Sequence, residues 1–467
     1  MTRSIALLLL VLAGRTTLPA QTADRFAPVR ATIKRFLDST NAASEIIWEE
    51  GFGWANREKM IPATQNTMYS LASISKPFTA TGLMVLVDQG KVALDRPAND
   101  YLGLGKLTGL AGDASGATVR RVMSHTAGLP LHYQFYYADK GYGPPTMDEA
   151  ISRYGILVFP PGRLHEYSNL GFGIIDHIIE RTSGLPYADF MRREVFLPLG
   201  LTRTAIDIPA GMEAYAAERY DANQKPIPFY TFDHVGASGV YSSAHDLVRF
   251  GMFHLKNRLP DQRPILTPES IDQMHQPVEP ASYGLGFRIA PDDMGYLRFG
   301  HTGGMPGVAT GMNLFPTENL AIVVLANSGI RPDFIAQDIA AVLLPRYADS
   351  LKVRRGQAAP APRTFTATPE LIGQWSGTMR TWASTIPIRL LVKPDGAILN
   401  NANLVDGRLS GQFAGQIPTG DAKRWNHFAL LGLLLQDGTL KGQANAMSLT
   451  DPSRYSLASY VDVKKQP

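Results

Sequence analysis

Apolar residues along the chain recur at spacings that predict both helices and strands. Between residues 79 and 89 they follow a helical spacing and Gly90 comes next, which predicts a core helix ending there. Pro77 falls just before this stretch, in a position where proline fits the first turn of a helix. A buried helix of this kind can hold polar side chains rigidly at its start.

Strand patterns stand on both sides of a mainly helical middle, residues 95–264. Alternating β-branched and aromatic residues are typical of strands, and the turn Pro316-Thr-Glu-Asn319 joins two such runs into a hairpin. The predicted strands are residues 45–54, 296–299, 310–315 and 320–327, with helices at 32–38 and 333–344. We therefore expect an α+β fold, in which one antiparallel sheet built from both ends of this region is flanked by helices and joined to a helical subdomain.

The last quarter of the chain has a different pattern. Residues 352–369 are rich in Ala, Pro and Arg, a composition typical of a linker. Short strand-like runs separated by turn residues fill residues 370–467, which predicts a C-terminal all-β module, a small barrel or a sandwich. We find no group of candidate catalytic or ligand-binding residues in the sequence of this module.

The N-terminus has the pattern of a secretory signal peptide. Arg3 precedes an apolar core that is too short to span a bilayer of about 30 Å, and Ala20 offers a small residue for cleavage. The alternative is a buried first helix. Taking the first interpretation, residues 1–20 are the signal peptide, residues 21–351 the main domain, and the protein is exported to the periplasm or the exterior without a transmembrane anchor.

The composition of the chain excludes several kinds of partner and of reactive group. Hydrophobic residues make up 45% of the 467 residues and charged residues 18%, as in globular proteins. The net charge of +4 is dispersed without basic runs, so a nucleic-acid partner has no support. The chain has no cysteine, which excludes disulfides, a thiol nucleophile and thiolate metal ligands. A nucleophile in this chain must use oxygen.

Ser73-x-x-Lys76 is the spacing with the most chemical content. Residues three apart lie on one face of a helix, with Cβ atoms about 5–6 Å apart. An amine beside a hydroxyl pairs a base with a nucleophile, but short motifs also occur by chance on solvated helix faces. A catalytic role for this pair therefore depends on further motifs elsewhere in the chain.

Two further segments contain such motifs. Tyr167-Ser-Asn169 follows a Pro-Gly turn and precedes a helix, so one tight loop presents a phenol and an amide. His301-Thr-Gly-Gly304 runs from a strand into glycines that let the backbone approach a ligand. The run Ser124-His-Thr-Ala-Gly-Leu-Pro130 is interpreted as a structural turn.

With these motifs in this order, residues 26–344 resemble the serine β-lactamase and penicillin-binding family, in particular its class C-like branch. That branch includes esterases and D-amino-acid-specific peptidases. The resemblance implies that Ser73 is the acylated nucleophile and that Lys76 and Tyr167 are its bases. A lysine must lose about 3 pKa units, or about 4 kcal/mol, to be largely neutral near pH 7. Proximity to Lys76 is expected to favour the phenolate of Tyr167.

The resemblance also implies the residues that bind substrate. Asn169 orients Lys76 or a substrate amide, or caps the turn, and the backbone N–H groups of Ser73 and Gly304 stabilise the oxyanion. Gly303 and His301 complete the strand motif. Many relatives that act on β-lactams have lysine in place of His301, and a histidine is mostly neutral above about pH 6.5. This departure shifts the expectation from a β-lactamase toward an esterase or peptidase.

The sequence therefore predicts an exported, cofactor-free serine hydrolase that acts on an ester or amide in a small molecule or peptide. The alternatives are a cell-wall D-Ala-D-Ala carboxypeptidase or a β-lactamase and, in a second class, a non-catalytic penicillin-binding-like sensor or binding protein. A homo-oligomer is left open. No metal is implied, since the remaining histidines lack ligand spacing and are interpreted as structural or surface residues: His125, His165, His234 and His245.

Overall fold

The structure is a computed structural model. It describes residues 46–357, 367–394, 400–405, 408–413, 416–421, 427–448 and 454–467. The predicted signal peptide and the helix predicted at 32–38 lie outside these ranges. Within them, no helix has both the length and the apolar character needed to cross a membrane.

The elements alternate between short strands and helices up to residue 356 and are strands thereafter. The strands are β1 Trp54–Asn56, β2 Ile61–Pro62, β3 Tyr69–Ser70, β4 Thr108–Gly109, β5 Tyr133–Tyr137, β6 Ile156–Leu157, β7 Thr204–Ile206, β8 Tyr230–Phe232, β9 Val240–Ser242, β10 Arg288–Ala290, β11 Arg298–Met305, β12 Val308–Phe315, β13 Leu320–Ala326, β14 Gly373–Arg380, β15 Thr385–Val392, β16 Asn400–Val405, β17 Arg408–Phe413, β18 Phe428–Gln436, β19 Thr439–Ser448 and β20 Tyr455–Lys465. The helices are α1 Ser75–Asp88, α2 Val119–Met123, α3 Met147–Tyr154, α4 Asn169–Ser183, α5 Tyr187–Met191, α6 Val235–Ser238, α7 Ala244–His254, α8 Pro268–Met274, α9 Pro332–Leu343 and α10 Pro345–Gly356.

An antiparallel sheet with helices on both faces forms the centre of the main domain. Its strand order is β10-β11-β12-β13. Side chains of β13 alternate between two cores, because successive residues of a strand point to opposite faces. Val323 and Leu325 pack in the large core that includes α1, α4 and α7, whereas Ile322 and Val324 pack against α9 and α10. The predicted α+β fold is confirmed.

Several element boundaries differ from those predicted. The helix expected at residues 79–89 begins four residues earlier, at Ser75, with Pro77 tolerated in its first turn. The strand expected at 296–299 runs through the glycines to Met305, because Gly304 pairs with Ala309 of β12. Strand β1 pairs with β2 in a separate two-stranded sheet, so among the described residues it does not join the central sheet.

Within the described ranges, the C-terminal strands form one antiparallel sheet in the order β15-β14-β20-β19-β18-β17-β16. Strand β5 of the main domain adds to its β20, with Tyr455 opposite Gln134. The α10 helix continues to Gly356, so it includes the first five residues of the segment predicted to be a linker. Residues 358–366 of that segment lie outside the described ranges. The pairing of β5 with β20 brings the C-terminal sheet against the main domain.

Candidate active site

Ser73 lies in a 3₁₀ turn, Ala72–Ile74, that leads directly into α1. Ala72 has φ of 50°, a left-handed conformation that is strained for a residue with a side chain. Strand β11 packs closely on this turn, since a Cβ at Gly303 would lie 2.2 Å from the carbonyl oxygen of Leu71. The strained turn is thus held between the central sheet and the start of α1.

Lys76 is completely buried one turn after Ser73. Its Nζ lies 3.1 Å from Ser73 Oγ, 2.9 Å from Asn169 Oδ1 and 3.2 Å from the carbonyl oxygen of Ala237. The two N–H groups of a neutral amine can donate to Asn169 and Ala237, which leaves its lone pair to accept from the Ser73 hydroxyl. Burial, and secondly the positive charge of Arg288, lower the pKa of Lys76 well below its usual value. The neutral amine that can accept a proton from Ser73 is therefore favoured.

The Tyr167-Ser-Asn169 segment is shaped by a helix cap. Ser168 is the N-cap of α4 and accepts a hydrogen bond from the Gly171 N–H at 3.1 Å. Asn169 then occupies the first turn of α4 and Tyr167 lies immediately before it. The ring centroid of Tyr167 is 4.7 Å from Lys76 Nζ. One capped turn thus places both side chains against the lysine.

Tyr167 does not have the lowered pKa expected from its proximity to Lys76. Burial raises the pKa of Tyr167 to about 12, although hydrogen bonding with Ser73 and the charge of Arg288 act in the other direction. The largest cause is the burial of the phenol itself, because a phenolate is unfavourable without solvent. The phenol is thus protonated near neutral pH.

His301 lies behind the site and is 2% exposed. Its Nδ1 donates to the Thr302 carbonyl at 2.6 Å, so Nε2 is left to accept from the Tyr283 hydroxyl at 2.9 Å. Burial lowers the pKa of His301 well below its usual value, as do the charges of Lys76 and Arg288. A neutral imidazole with both nitrogens engaged does not offer a cation to a substrate carboxylate.

A cavity of about 360 Å³ opens at Ser73. Of the predicted site residues, Tyr167, Asn169 and Gly304 line it with Ser73. Lys76 is buried beside Ser73, Gly303 packs against the strained turn, and a Cβ at Gly304 would meet no atom within 4 Å. A larger cavity of about 820 Å³ lies near Thr302 and Arg288, but Ser73 does not line it. The chemistry therefore belongs to the smaller cavity.

Four polar residues that line this cavity were not among the predicted site residues: Tyr133, His234, Ser238 and Arg454. His234 lines it, although the sequence placed it among structural or surface histidines. Its Nδ1 is 2.6 Å from Asp233 Oδ1, and Asp233 Oδ2 is 2.6 Å from Nε2 of His132. His132 and Asp233 are about a hundred residues apart, so no sequence motif links them. Only the fold brings the buried group of His132, Asp233 and His234 to the cavity.

Arg454 of the C-terminal module also lines the Ser73 cavity. Its backbone carbonyl accepts from the Phe135 N–H at 3.2 Å, which fixes it at the start of β20 beside β5. Its Nε is buried without a hydrogen-bond partner, and the described residues offer its guanidinium no ion pair. A permanent cation thus faces the site from a module in which the sequence revealed no chemistry.

Within the described ranges, no group of three or more His, Cys, Asp or Glu side chains is placed to hold a metal ion. The arrangement consists of a hydroxyl, a buried amine, a phenol and an amide around one cavity. These are groups for nucleophilic acyl transfer.

Comparison with known proteins agrees with this geometry. The family model described as Beta-lactamase matches residues 42–345. Penicillin-binding protein 4* of Bacillus subtilis (strain 168) is 26% identical over 313 residues, which cover 61% of this chain and 66% of that protein. The chain spans 60–67% of the length of this and two other similar curated relatives.

Two solved structures show how far the fold is shared. The octameric penicillin-binding protein homologue from Pyrococcus abyssi has a TM-score of 0.55 and 19% identity, covering 92% of this chain and 100% of that one. The beta-lactamase/D-alanine carboxypeptidase from Pseudomonas syringae has a TM-score of 0.54 and 19% identity, covering 68% and 98%. The first match includes the C-terminal strands as well as the main domain.

The family match covers more than half of the chain and includes Ser73, Lys76, Tyr167 and His301. The predicted resemblance is confirmed, and with it the class of serine hydrolase at the level of the family. The chain belongs to the beta-lactamase family.

Proposed function

We propose that this protein is an exported serine hydrolase that cleaves an ester or amide bond through an acyl-enzyme on Ser73. The observation that carries the proposal is the hydrogen bond of 3.1 Å between Lys76 Nζ and Ser73 Oγ, made by a lysine whose charged form is disfavoured by burial. A neutral amine at this distance is a general base for the hydroxyl.

The reaction proceeds in two halves. Lys76 takes the proton of Ser73, and Oγ attacks the substrate carbonyl carbon while the backbone N–H groups of Ser73 and Gly304 stabilise the oxyanion. The protonated phenol of Tyr167 relays a proton to the leaving group as the ester or amide bond breaks. Water then attacks the acyl carbon, its proton passes to the same basic groups, and Ser73 is released. Asn169 keeps the amine of Lys76 oriented throughout.

The cavity also suggests the substrate class. His301 is neutral, so Arg454 is the cation that faces Ser73 without a partner among the described residues. A guanidinium binds a carboxylate with two hydrogen bonds. The preferred substrate is therefore a peptide or ester that carries a free carboxylate near the scissile bond. A D-Ala-D-Ala peptide and a β-lactam both carry such a group, and they remain the alternatives.

A covalent adduct tests the nucleophile. Incubation with a fluorophosphonate should add one phosphonyl group to Ser73, seen by intact mass and peptide mapping, and Ser73→Ala should abolish it.

Tyr167→Phe should lower turnover of a nitrophenyl ester by about 10²–10⁴-fold with little change in KM, since it removes proton transfer and leaves binding intact. An unlabelled wild-type protein, or an adduct that survives Ser73→Ala, would favour the non-catalytic binding protein instead.

The pH dependence of labelling tests the base. Because the pKa of Lys76 is lowered, the labelling rate should rise with pH through that pKa and level off well below pH 10.5. Arg288→Met removes a cation that lowers this pKa, so the rise should shift to higher pH. Arg331→Met, a change in the larger cavity, is the matched control and should leave the profile in place. A shift to lower pH in Arg288→Met would contradict the assignment.

Paired substrates test Arg454. Arg454→Met should raise KM about 10- to 100-fold for a D-aminoacyl peptide with a free carboxylate, as expected for a lost hydrogen bond to a charged group of 1.5–3 kcal/mol. KM for the corresponding amide should change little, and Arg454→Lys should restore part of the loss. Equal effects on both substrates would show that Arg454 does not bind a carboxylate. A chromogenic cephalosporin in the same panel distinguishes the β-lactamase alternative.

Export and assembly are tested on protein secreted by a bacterial host. Cleavage near Ala20 should give a mature chain that begins close to Gln21, read by intact mass. The homologue from Pyrococcus abyssi is described as octameric, which supports a homo-oligomer here. Light scattering should then give a mass that is a multiple of the chain's own. An uncleaved intracellular product would contradict export, and a monomer would contradict assembly.

A further inference from the structure

A buried acidic side chain next to Tyr167 contacts the C-terminal sheet. Glu166 directly precedes Tyr167 and is 6% exposed. Its Oε1 accepts from Gln443 Nε2 at 2.5 Å, and its Oε2 is 2.5 Å from a guanidinium nitrogen of Arg408. Gln443 lies on β19 and Arg408 on β17, so both partners belong to the C-terminal sheet.

The backbone of the same loop is held from the opposite side, by His125 of the main domain. The Glu166 N–H donates to the His125 carbonyl at 2.8 Å, and the Ser168 N–H donates to His125 Nδ1 at 3.1 Å. The His125 ring also contacts the ring of Tyr167, with centroids 4.3 Å apart. Tyr167 is therefore placed between a backbone anchor in one module and a side-chain anchor in the other.

The charge of Glu166 makes the contact energetically consequential. Burial raises the pKa of Glu166, whereas Arg408 and Gln443 lower it. A buried carboxylate is therefore stabilised while it is paired, and removal of one partner is destabilising. Arg408 supplies the cation and Gln443 the hydrogen bond. If either is lost, the carboxyl takes up a proton or moves toward water, and both changes weaken the hold of the C-terminal sheet on the segment that places the Tyr167 phenol beside Ser73.

We propose that Glu166 is a positioning residue, through which Arg408 and Gln443 of the C-terminal sheet hold Tyr167 in the geometry needed for acylation of Ser73. The proposal rests on the hydrolase function proposed above. The C-terminal module then acts in catalysis through this contact and not only by covering the main domain.

The modules share other polar contacts, which allows positioning to be separated from docking. Asp421 of the C-terminal module accepts a hydrogen bond from the Tyr154 hydroxyl and lies 3.6 Å from Arg153. Among the described residues that line the Ser73 cavity, neither Tyr154 nor Arg153 is found. Asp421→Asn is therefore a matched control that weakens an inter-module contact away from the catalytic loop.

The test compares Arg408→Met and Glu166→Gln with Asp421→Asn. Arg408 is partly exposed, and Glu166→Gln keeps the volume, so both variants should fold, as judged by circular dichroism and thermal unfolding. We expect each to lower kcat for a nitrophenyl ester and the rate of fluorophosphonate labelling about 10- to 100-fold, the scale of a displaced catalytic group. KM should change less than about twofold, and Asp421→Asn should match the wild type.

A double-substitution cycle supplies a readout that a merely structural role would not change. If Arg408 acts through Tyr167, Arg408→Met should have almost no further effect on labelling in a Tyr167→Phe background. Additive losses, unchanged rates in Arg408→Met and Glu166→Gln, or an equal loss in Asp421→Asn would each overturn the proposal. A wild-type protein that is not labelled at Ser73 would instead refute the hydrolase function itself.

Discussion

The burial of Lys76 is the constraint on which the site depends. An ammonium group without solvent is unfavourable, so burial lowers the pKa of Lys76, and three oxygen atoms lie within hydrogen-bond distance of its Nζ. Each oxygen comes from a different element, the turn before α1, the start of α4 and α6. The core that buries the lysine therefore also fixes the distances among the reacting groups.

The same burial assigns different protonation states to neighbouring groups. The lowered pKa of Lys76 favours its neutral, basic form, while the raised pKa of Tyr167 keeps its phenol protonated. His301 is kept neutral and engaged by Tyr283 and Thr302. The positive charge of the site thus lies at its margins, with Arg288 on the side of the larger cavity and Arg454 on the side of the C-terminal sheet.

Patterns among neighbouring residues predicted the main helices and strands, because neighbouring residues largely determine where these elements form. The helix at Ser75–Asp88 and the hairpin of β12 and β13 follow from apolar spacing and a turn, which neighbouring residues determine. The end of β11 and the pairing of β1 were mispredicted for the opposite reason. The predicted strand stopped at residue 299, yet Gly303 and Gly304 continue it because β12 lies beside them. The turn at Leu71 leaves no room for a Cβ at Gly303.

The sequence by itself identified the candidate nucleophile and its immediate neighbours, because Ser73 and Lys76 share a helix turn and Tyr167 and Asn169 share a cap. It also determined that a histidine stands where a lysine is common. Only the tertiary structure decided the protonation of these groups, since burial depends on residues far along the chain. It alone brought His234 and Arg454 to the cavity and Arg408 to Glu166, because β5 pairs with β20 across more than 300 residues of sequence.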